Sequence, residues 1–266
     1  NILWQKNSYD QPNLQNFFSD KNRHHEYDWY VFNSHWNYEK FRYFFNIPTE
    51  KCVVIKNGAH HFPKRKIYKK GDPIRIIHHC TPWRGLNVLL LAMQLLKNKN
   101  ITLDVYSSCH VYGGEFADRV EPDFRELYNQ AQELPNVNYI GFKPNEYILE
   151  NISNYDLFVY PSIFEETFCA SALEALAAGL HVITTNFGAL PETCSEWPVY
   201  VNYTLDRELM AASFAQAIDV TADYLHTDVI QKHLDNQQQF YKNFYSWEKK
   251  GEEWKRFLEG ALSVKQ

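Results

Sequence analysis

The sequence predicts an α/β fold in which a parallel sheet is sandwiched by helices. Three observations carry that prediction. Short apolar or β-branched runs alternate with helical stretches along most of the chain, the pattern of a sheet built from crossover units. Between Leu157 and Thr185 a strand, a turn, a helix, a Gly stop and a second strand follow one another, which makes one βαβ unit. The helix of that unit, about Phe168 to Ala178, is apolar almost all round, as a buried helix is.

Composition narrows the function classes. The 266 residues, 45% of them hydrophobic, suffice for one large domain or two small ones. A net charge of −5 and a pI near 6.1 leave no basic footprint, which argues against nucleic acid as a partner. Five cysteines, at 52, 80, 109, 169 and 194, show no paired spacing, so reduced thiols and a cytoplasmic compartment are expected. The glycosylation-type triplets at Asn151 and Asn202 are then chance matches. No apolar run approaches the roughly 18–20 residues of a membrane span, and no signal peptide is expected.

In chain order, Ile2 to Trp4 reads as a strand, and residues 8–26 are polar with a helical option from Leu14. Asp28 to Asn33 is a strand, and Ser34 caps a helix to about Phe45. Lys51 to Ile55 is a strand ending at Lys56-Asn57-Gly58, where a plain turn and a ligand contact both fit. Ile74 to His78 is a strand, and Thr81-Pro82-Trp83-Arg84-Gly85 turns into a helix from Leu86 to Leu96. Arg84 thus sits at a helix start on the sheet edge where open α/β sheets bind ligands, although a solvated surface charge also fits. His78 and His79 read as core or strand-end histidines.

Ile101 to Tyr106 is the next strand. The loop from Cys109 to Glu121, with Gly113-Gly114, fits a flexible lid or an insertion. A helix from Phe124 to Leu134 and a strand from Val137 to Ile140 follow, then Gly141 to Asn145 and a helix from Glu146 to Ser153. After Thr185, Gly188 to Glu192 turns into a short helix, and Pro198 to Val201 is a last strand. Asp206 to Leu225 and Asp228 to about Phe244 are amphipathic helices. Ser246 caps a final helix, Trp247 to about Leu258, with Gly251 as its weak point.

Two acids stand out in the central stretch. Glu174 is the one carboxylate in the apolar helix, flanked at helical spacing by small residues: Ala170, Ser171, Ala177 and Ala178. A buried acid needs a hydrogen-bond partner, and small neighbours leave room for a ligand to supply it. Glu166 lies just before the helix. Beyond it the backbone N–H groups of Thr167, Phe168, Cys169 and Ala170 are expected as helix-terminal donors, a seat for phosphate. Phosphate there and a carboxylate roughly 9–12 Å along the helix suit a nucleoside diphosphate, with Glu174 accepting from the ribose hydroxyls.

Glu166 and Glu174 form E-x7-E, embedded in PSIFEETFCASALEALAAGLHVI and followed by Gly188-Ala189-Leu190-Pro191-Glu192. This stretch resembles the donor-sugar half of the GT-B retaining glycosyltransferases, specifically the large family 4 group (glycosyl transferases group 1). The flanking PS, EALAAG and GALPE make the match specific. It departs at Cys169, where Gly is usual, and at His181, where Pro is usual. Ile47-Pro48 through His60 likewise resembles the segment that leads into the family's donor domain.

The resemblance implies a Rossmann-like sheet, the C-terminal half of a GT-B fold, with a short remnant of the N-terminal domain. It implies residues 1–58 as the end of an acceptor-side domain and linker, 59–240 as the donor domain, and 241–266 as a helix packing back on the N-terminal part through its aromatic residues. Fewer than sixty residues precede the donor domain, so a fragment of a longer protein is expected. At the turn after the first donor-domain strand the family places an Arg and a Lys on the diphosphate. Arg84 falls on the Lys position, beside Gly85, and His79 on the Arg position, leaving one certain cation. Phe142 and Lys143 match the place that holds the nucleobase, although packing also explains Phe142.

The activity implied is transfer of a hexosyl-type sugar from a nucleotide-diphosphate sugar to a glycan, lipid or protein acceptor, with retention of anomeric configuration. Glu166 would act at the sugar and Glu174 at the ribose. Thr167, Phe168, Cys169 and Ala170 would line the donor. No D-x-D occurs, so neither metal nor other cofactor is expected. Two other classes compete. One is a non-catalytic nucleotide-sugar-binding homologue or scaffold. The other is a relative with different chemistry, such as an epimerase or a phosphorylase; no lysine motif for pyridoxal phosphate supports the latter.

Overall fold

The computed structural model describes residues 1–98 and 100–263. The chain opens with β1 (Ile2–Gln5), α1 (Pro12–Phe18), β2 (Trp29–Phe32), α2 (His35–Phe45) and β3 (Cys52–Val54). These three strands form a small parallel sheet in the order β1-β2-β3. Phe18, Tyr30, Phe32, Phe41 and Phe45 make its aromatic core. Asn46, at φ +51°, ends α2 in the left-handed conformation that Asn tolerates.

The larger sheet begins with β4 (Ile74–His78), α3 (Leu86–Leu95) and β5 (Ile101–Val105), and continues through α4 (Gly114–Val120), α5 (Arg125–Glu133), β6 (Val137–Tyr139) and α6 (Asn145–Asn151). β7 (Leu157–Tyr160), α7 (Ala170–Ala178), β8 (His181–Thr185), α8 (Leu190–Cys194) and β9 (Val199–Val201) complete it. The expected loop over residues 109–121 holds α4, so most of it is folded. α9 (Arg207–Tyr224), α10 (Asp228–Tyr245) and α11 (Trp247–Ser263) close the chain. α11 runs straight through Gly251 and past Leu258. The expected last segment extended to Gln266, whose final three residues lie outside those described.

All pairings in the six-stranded sheet are parallel, in the order β6-β5-β4-β7-β8-β9. This is the doubly wound order in which two halves run outward from a central pair, and the order reverses between β4 and β7. The period-two alternation of strands sorts their side chains into two cores. Ile76, Leu157 and Val159 pack under α3 and α9, while Ile77, Phe158 and Tyr160 pack under α7 and α10. Each such side chain, fully buried, contributes about 1.5–3 kcal/mol.

The two sheets are tied by the tail. Trp254 of α11 meets Trp4 edge-on at 4.8 Å between ring centroids, and Phe257 meets Trp29 at 5.6 Å. The earlier tail aromatics pack mostly as helical core. Phe240, Tyr241 and Tyr245 join the larger core, and Phe244 is exposed. Trp247 packs against Gly58, where an added Cβ would fall 2.7 Å from its ring. A side chain at 58 would push the tail off the linker.

Candidate functional site

The reversal of strand order places two loops side by side, residues 79–85 after β4 and residues 161–169 after β7. They touch at Gly85: its φ is +110°, and a Cβ there would lie 2.1 Å from the Pro161 carbonyl oxygen. Gly85 therefore lets the two loops close on each other. The hydroxyls of Thr184 and Thr185 donate to the carbonyls of Tyr160 (2.9 Å) and Ser162 (3.1 Å), which fixes the second loop where β7 ends.

Over these loops lies a cleft of about 630 Å³, roofed on one side by the small sheet. Glu166 sits in its wall, 3% exposed. One of its oxygens, Oε1, accepts from both Arg84 Nη1 and the Tyr160 hydroxyl. Burial works against the Arg84 charge, but Glu166 first, and then the neighbouring Tyr160, Tyr112 and Cys80, together hold the guanidinium pKa above its ordinary value. Arg84 also lies over the Phe164 ring at 4.4 Å. The Glu166 backbone is equally constrained. Its carbonyl accepts from Ala189 N at 2.8 Å, and Gly188, at φ +62°, leaves no room for a Cβ against it.

α7 begins at Ala170, two residues later than expected, because the chain enters it through Cys169 at φ +76° and ψ 85°. The helix-terminal amides are thus those of Ala170, Ser171 and Ala172. Thr167 and Phe168 precede the helix and are not helix-terminal donors. The turn explains why Gly is usual at position 169: a side chain at positive φ costs on the order of 1–2 kcal/mol. Thr167 binds to the small sheet: its hydroxyl donates to the Lys6 carbonyl at 2.8 Å, and its own carbonyl accepts from Ser34 Oγ at 2.6 Å. Phe168 is buried in the core behind the cleft, and both Thr167 and Phe168 contribute to its lining.

Glu174 has no hydrogen-bond or ion-pair partner among the described residues. Burial raises its pKa to about 7. Ala170 and Ser171, on the preceding turn, line the cleft, whereas Glu174 does not. Phe142 and Lys143 line the far end, with the exposed Phe142 ring 5.8 Å from His110. His79 faces the cleft, and burial followed by the neighbouring His78 lowers its pKa to about 3, so it is a neutral imidazole. His78 is the strand-end histidine expected, with Nδ1 at 3.3 Å from the Val159 carbonyl.

Four buried polar atoms without a partner belong to residues that line this cleft: Asn57 Oδ1, His79 Nε2, Thr81 Oγ1 and Arg84 Nε. Each such atom costs about 1–3 kcal/mol unless something bonds it. Asn57 thus lines the cleft, while Gly58 packs against Trp247. Thr81, Tyr160 and Lys6 were not singled out by sequence reasoning. Thr81 opens the turn that carries Arg84, and Tyr160 is the polar residue closing an apolar strand; those were the available signals.

Comparison with known proteins identifies the family and the fold. The family model for glycosyl transferases group 1 matches residues 59–223. The chain is 27% identical over 194 residues to the putative colanic acid biosynthesis glycosyltransferase WcaL of Salmonella typhimurium, covering 68% of this chain and 45% of the relative. It spans less than half the length of the curated relatives it matches. Among solved structures, a glycosyltransferase from Rickettsia africae superposes with a TM-score of 0.73 at 19% identity, over 98% of this chain and 70% of the other. Anabaena HepE in complex with UDP and glucose gives 0.73 at 15% identity, over 97% and 71%. Its fold is that of the GT-B glycosyltransferases, and the chain belongs to the glycosyl transferases group 1 family.

Proposed function

We propose that the cleft binds a nucleoside-diphosphate sugar and that the chain is the donor half of a retaining glycosyltransferase. The observation that carries this reading is the convergence of Arg84, the α7 N-terminus and four unpartnered polar atoms at the strand-order reversal. The UDP and glucose held by the Anabaena protein support the same ligand class here.

In this reading the diphosphate lies between Arg84 and the amides of Ala170 and Ser171. Charge developing on the leaving phosphate is met by fixed donors that need no reorganisation. Among the described residues no three His, Cys, Asp or Glu side chains gather as a metal site, and the proposed transfer uses none. Neutral His79 contributes a hydrogen bond rather than a charge. Phe142 and Lys143 flank the base, Glu166 faces the sugar, and Glu174, a turn along α7 from the lining residues Ala170 and Ser171, meets the ribose hydroxyls of a nucleotide laid along that helix. The glycan, lipid or protein acceptor enters from the small-sheet side, past Asn33 and Thr167.

Titration calorimetry with nucleoside diphosphates tests the reading. Arg84→Ala is expected to weaken binding of the preferred diphosphate about 10- to 100-fold, as loss of a charged hydrogen-bond donor to phosphate does. Unchanged affinity would remove the diphosphate from this site.

A further inference from the structure

Tyr160 is the last residue of β7 and is fully buried. Its ring packs beside Phe158 and His78, at centroid separations of 5.8 and 6.2 Å. A phenylalanine would make those contacts equally well. What phenylalanine could not supply is the hydroxyl, which donates to Glu166 Oε1. Burial, followed by the negative charge of Glu166, holds the phenol pKa well above its ordinary value. The hydroxyl is therefore held protonated, as a donor to Glu166.

Arg84 Nη1 donates to the same oxygen. Two donors on Oε1, together with the fixed backbone from Gly188 to Ala189, leave the carboxylate one orientation. Oε2 is the oxygen without a described partner, on a residue that lines the cleft. We propose that Tyr160 is a positioning residue: its hydroxyl clamps Oε1 of Glu166 so that Oε2 is presented to a hydroxyl of the donor sugar. The inference rests on the nucleotide-sugar reading given above. It also divides labour on one carboxylate, with Arg84 shared between Glu166 and phosphate and Tyr160 serving Glu166 alone. Positioning of this kind acts by holding a group in its productive geometry before the ligand arrives.

The test compares wild type, Tyr160→Phe and a variant carrying p-aminophenylalanine at 160, which restores an N–H donor at the same point of the ring. The probes are UDP, GDP, ADP, TDP and CDP, then the glucose, galactose and N-acetylglucosamine conjugates of whichever diphosphate binds. Calorimetry is expected to give the same diphosphate affinity in all three proteins, within about two-fold. The extra affinity that the sugar adds should fall about 10-fold in Tyr160→Phe, the worth of one hydrogen bond to a charged group, and return in the amino variant. A purely structural tyrosine would lower the melting temperature without separating sugar from diphosphate. Equal sugar increments in wild type and Tyr160→Phe would overturn the inference and leave the donor reading standing. Absence of diphosphate binding in wild type would overturn both.

Discussion

Arg84 and Glu166, 82 residues apart in sequence, form a part-buried ion pair where the loops after β4 and β7 face each other. The pair links the two halves of the doubly wound sheet at the edge where the strand order reverses. Without Arg84, a carboxylate 3% exposed is left with one fewer donor. Arg84→Ala is therefore expected to cost about 2–4 kcal/mol in urea unfolding, and Arg84→Lys distinctly less. A loss below about 0.5 kcal/mol, the value of an exposed pair, would show that the pair does not hold the loops.

The two acids of the E-x7-E pattern should separate cleanly. Glu166→Ala is expected to cut sugar transfer far more than nucleotide affinity, and Glu174→Ala to weaken nucleotide binding itself. Calorimetry with the diphosphate and turnover with its sugar conjugate measure the two effects. Equal losses of binding in both variants would contradict the division.

Glu174 also predicts a pH dependence. Its folded pKa, about 7, lies above the ordinary carboxylate value because of burial. The native state thus holds a proton that the unfolded state releases first. The contribution to stability is complete at acid pH and is lost as pH rises through about 7, at a slope of up to about 1.4 kcal/mol per pH unit. Urea unfolding between pH 4 and 8 should show that slope in wild type and not in Glu174→Gln. Ribose hydroxyls donating to the carboxylate favour its charged form, so nucleotide affinity should rise through pH 7 in wild type more than in the variant.

Gly85→Ala and Gly188→Ala should each destabilise by about 2 kcal/mol or more, since both combine positive φ with a backbone atom inside contact distance. Gly113→Ala, at φ +97° and ψ 161° with open space around it, should cost only the conformational part, about 1–3 kcal/mol, without the added clash. Thermal unfolding that ranks Gly113→Ala equal to or worse than Gly85→Ala would contradict the close approach of the loops.

Glu192, in the GALPE segment, caps α2 from the other sheet. Its oxygens accept from His35 N at 2.9 Å and Trp36 N at 2.8 Å, and Lys56 Nζ lies at 3.0 Å. Burial opposes its charge, yet those amides together with the His35 and Lys56 side chains hold its pKa below the ordinary carboxylate value. Its contribution is present above the unfolded pKa and is lost as pH falls through the lower folded value. Glu192→Ala should cost about 1–2 kcal/mol at neutral pH and less in acid. An equal cost at pH 3 and pH 7 would contradict the cap.

The larger sheet was legible because its strands are continuous apolar runs separated by glycine and by helices of the right length. Arg84 and Glu166 were legible because a sheet-edge turn and a helix start are readable in local sequence. What brings them together was not, since the pair depends on β4 and β7 being neighbours. Tyr160 was hidden for a related reason: a tyrosine closing an apolar strand reads as core until its hydroxyl is seen to meet Glu166. The start of α7 was misplaced because Phe168 is a good core residue and gives no sign that Cys169 takes positive φ. The folded segment from Gly114 to Val120 was missed because adjacent glycines suggest a loop, whereas here they precede and open a helix.

The central claim is that this cleft holds a nucleotide through Arg84 and the α7 amides at the strand-order reversal. A thermal-shift panel of the chain with UDP, GDP, ADP, TDP and CDP, repeated on Glu174→Ala, tests it most directly. One nucleotide should raise the melting temperature of wild type by several degrees, as a ligand at about 100 times its Kd does, and should raise that of Glu174→Ala much less. No shift with any of the five, or equal shifts in both proteins, would contradict the claim.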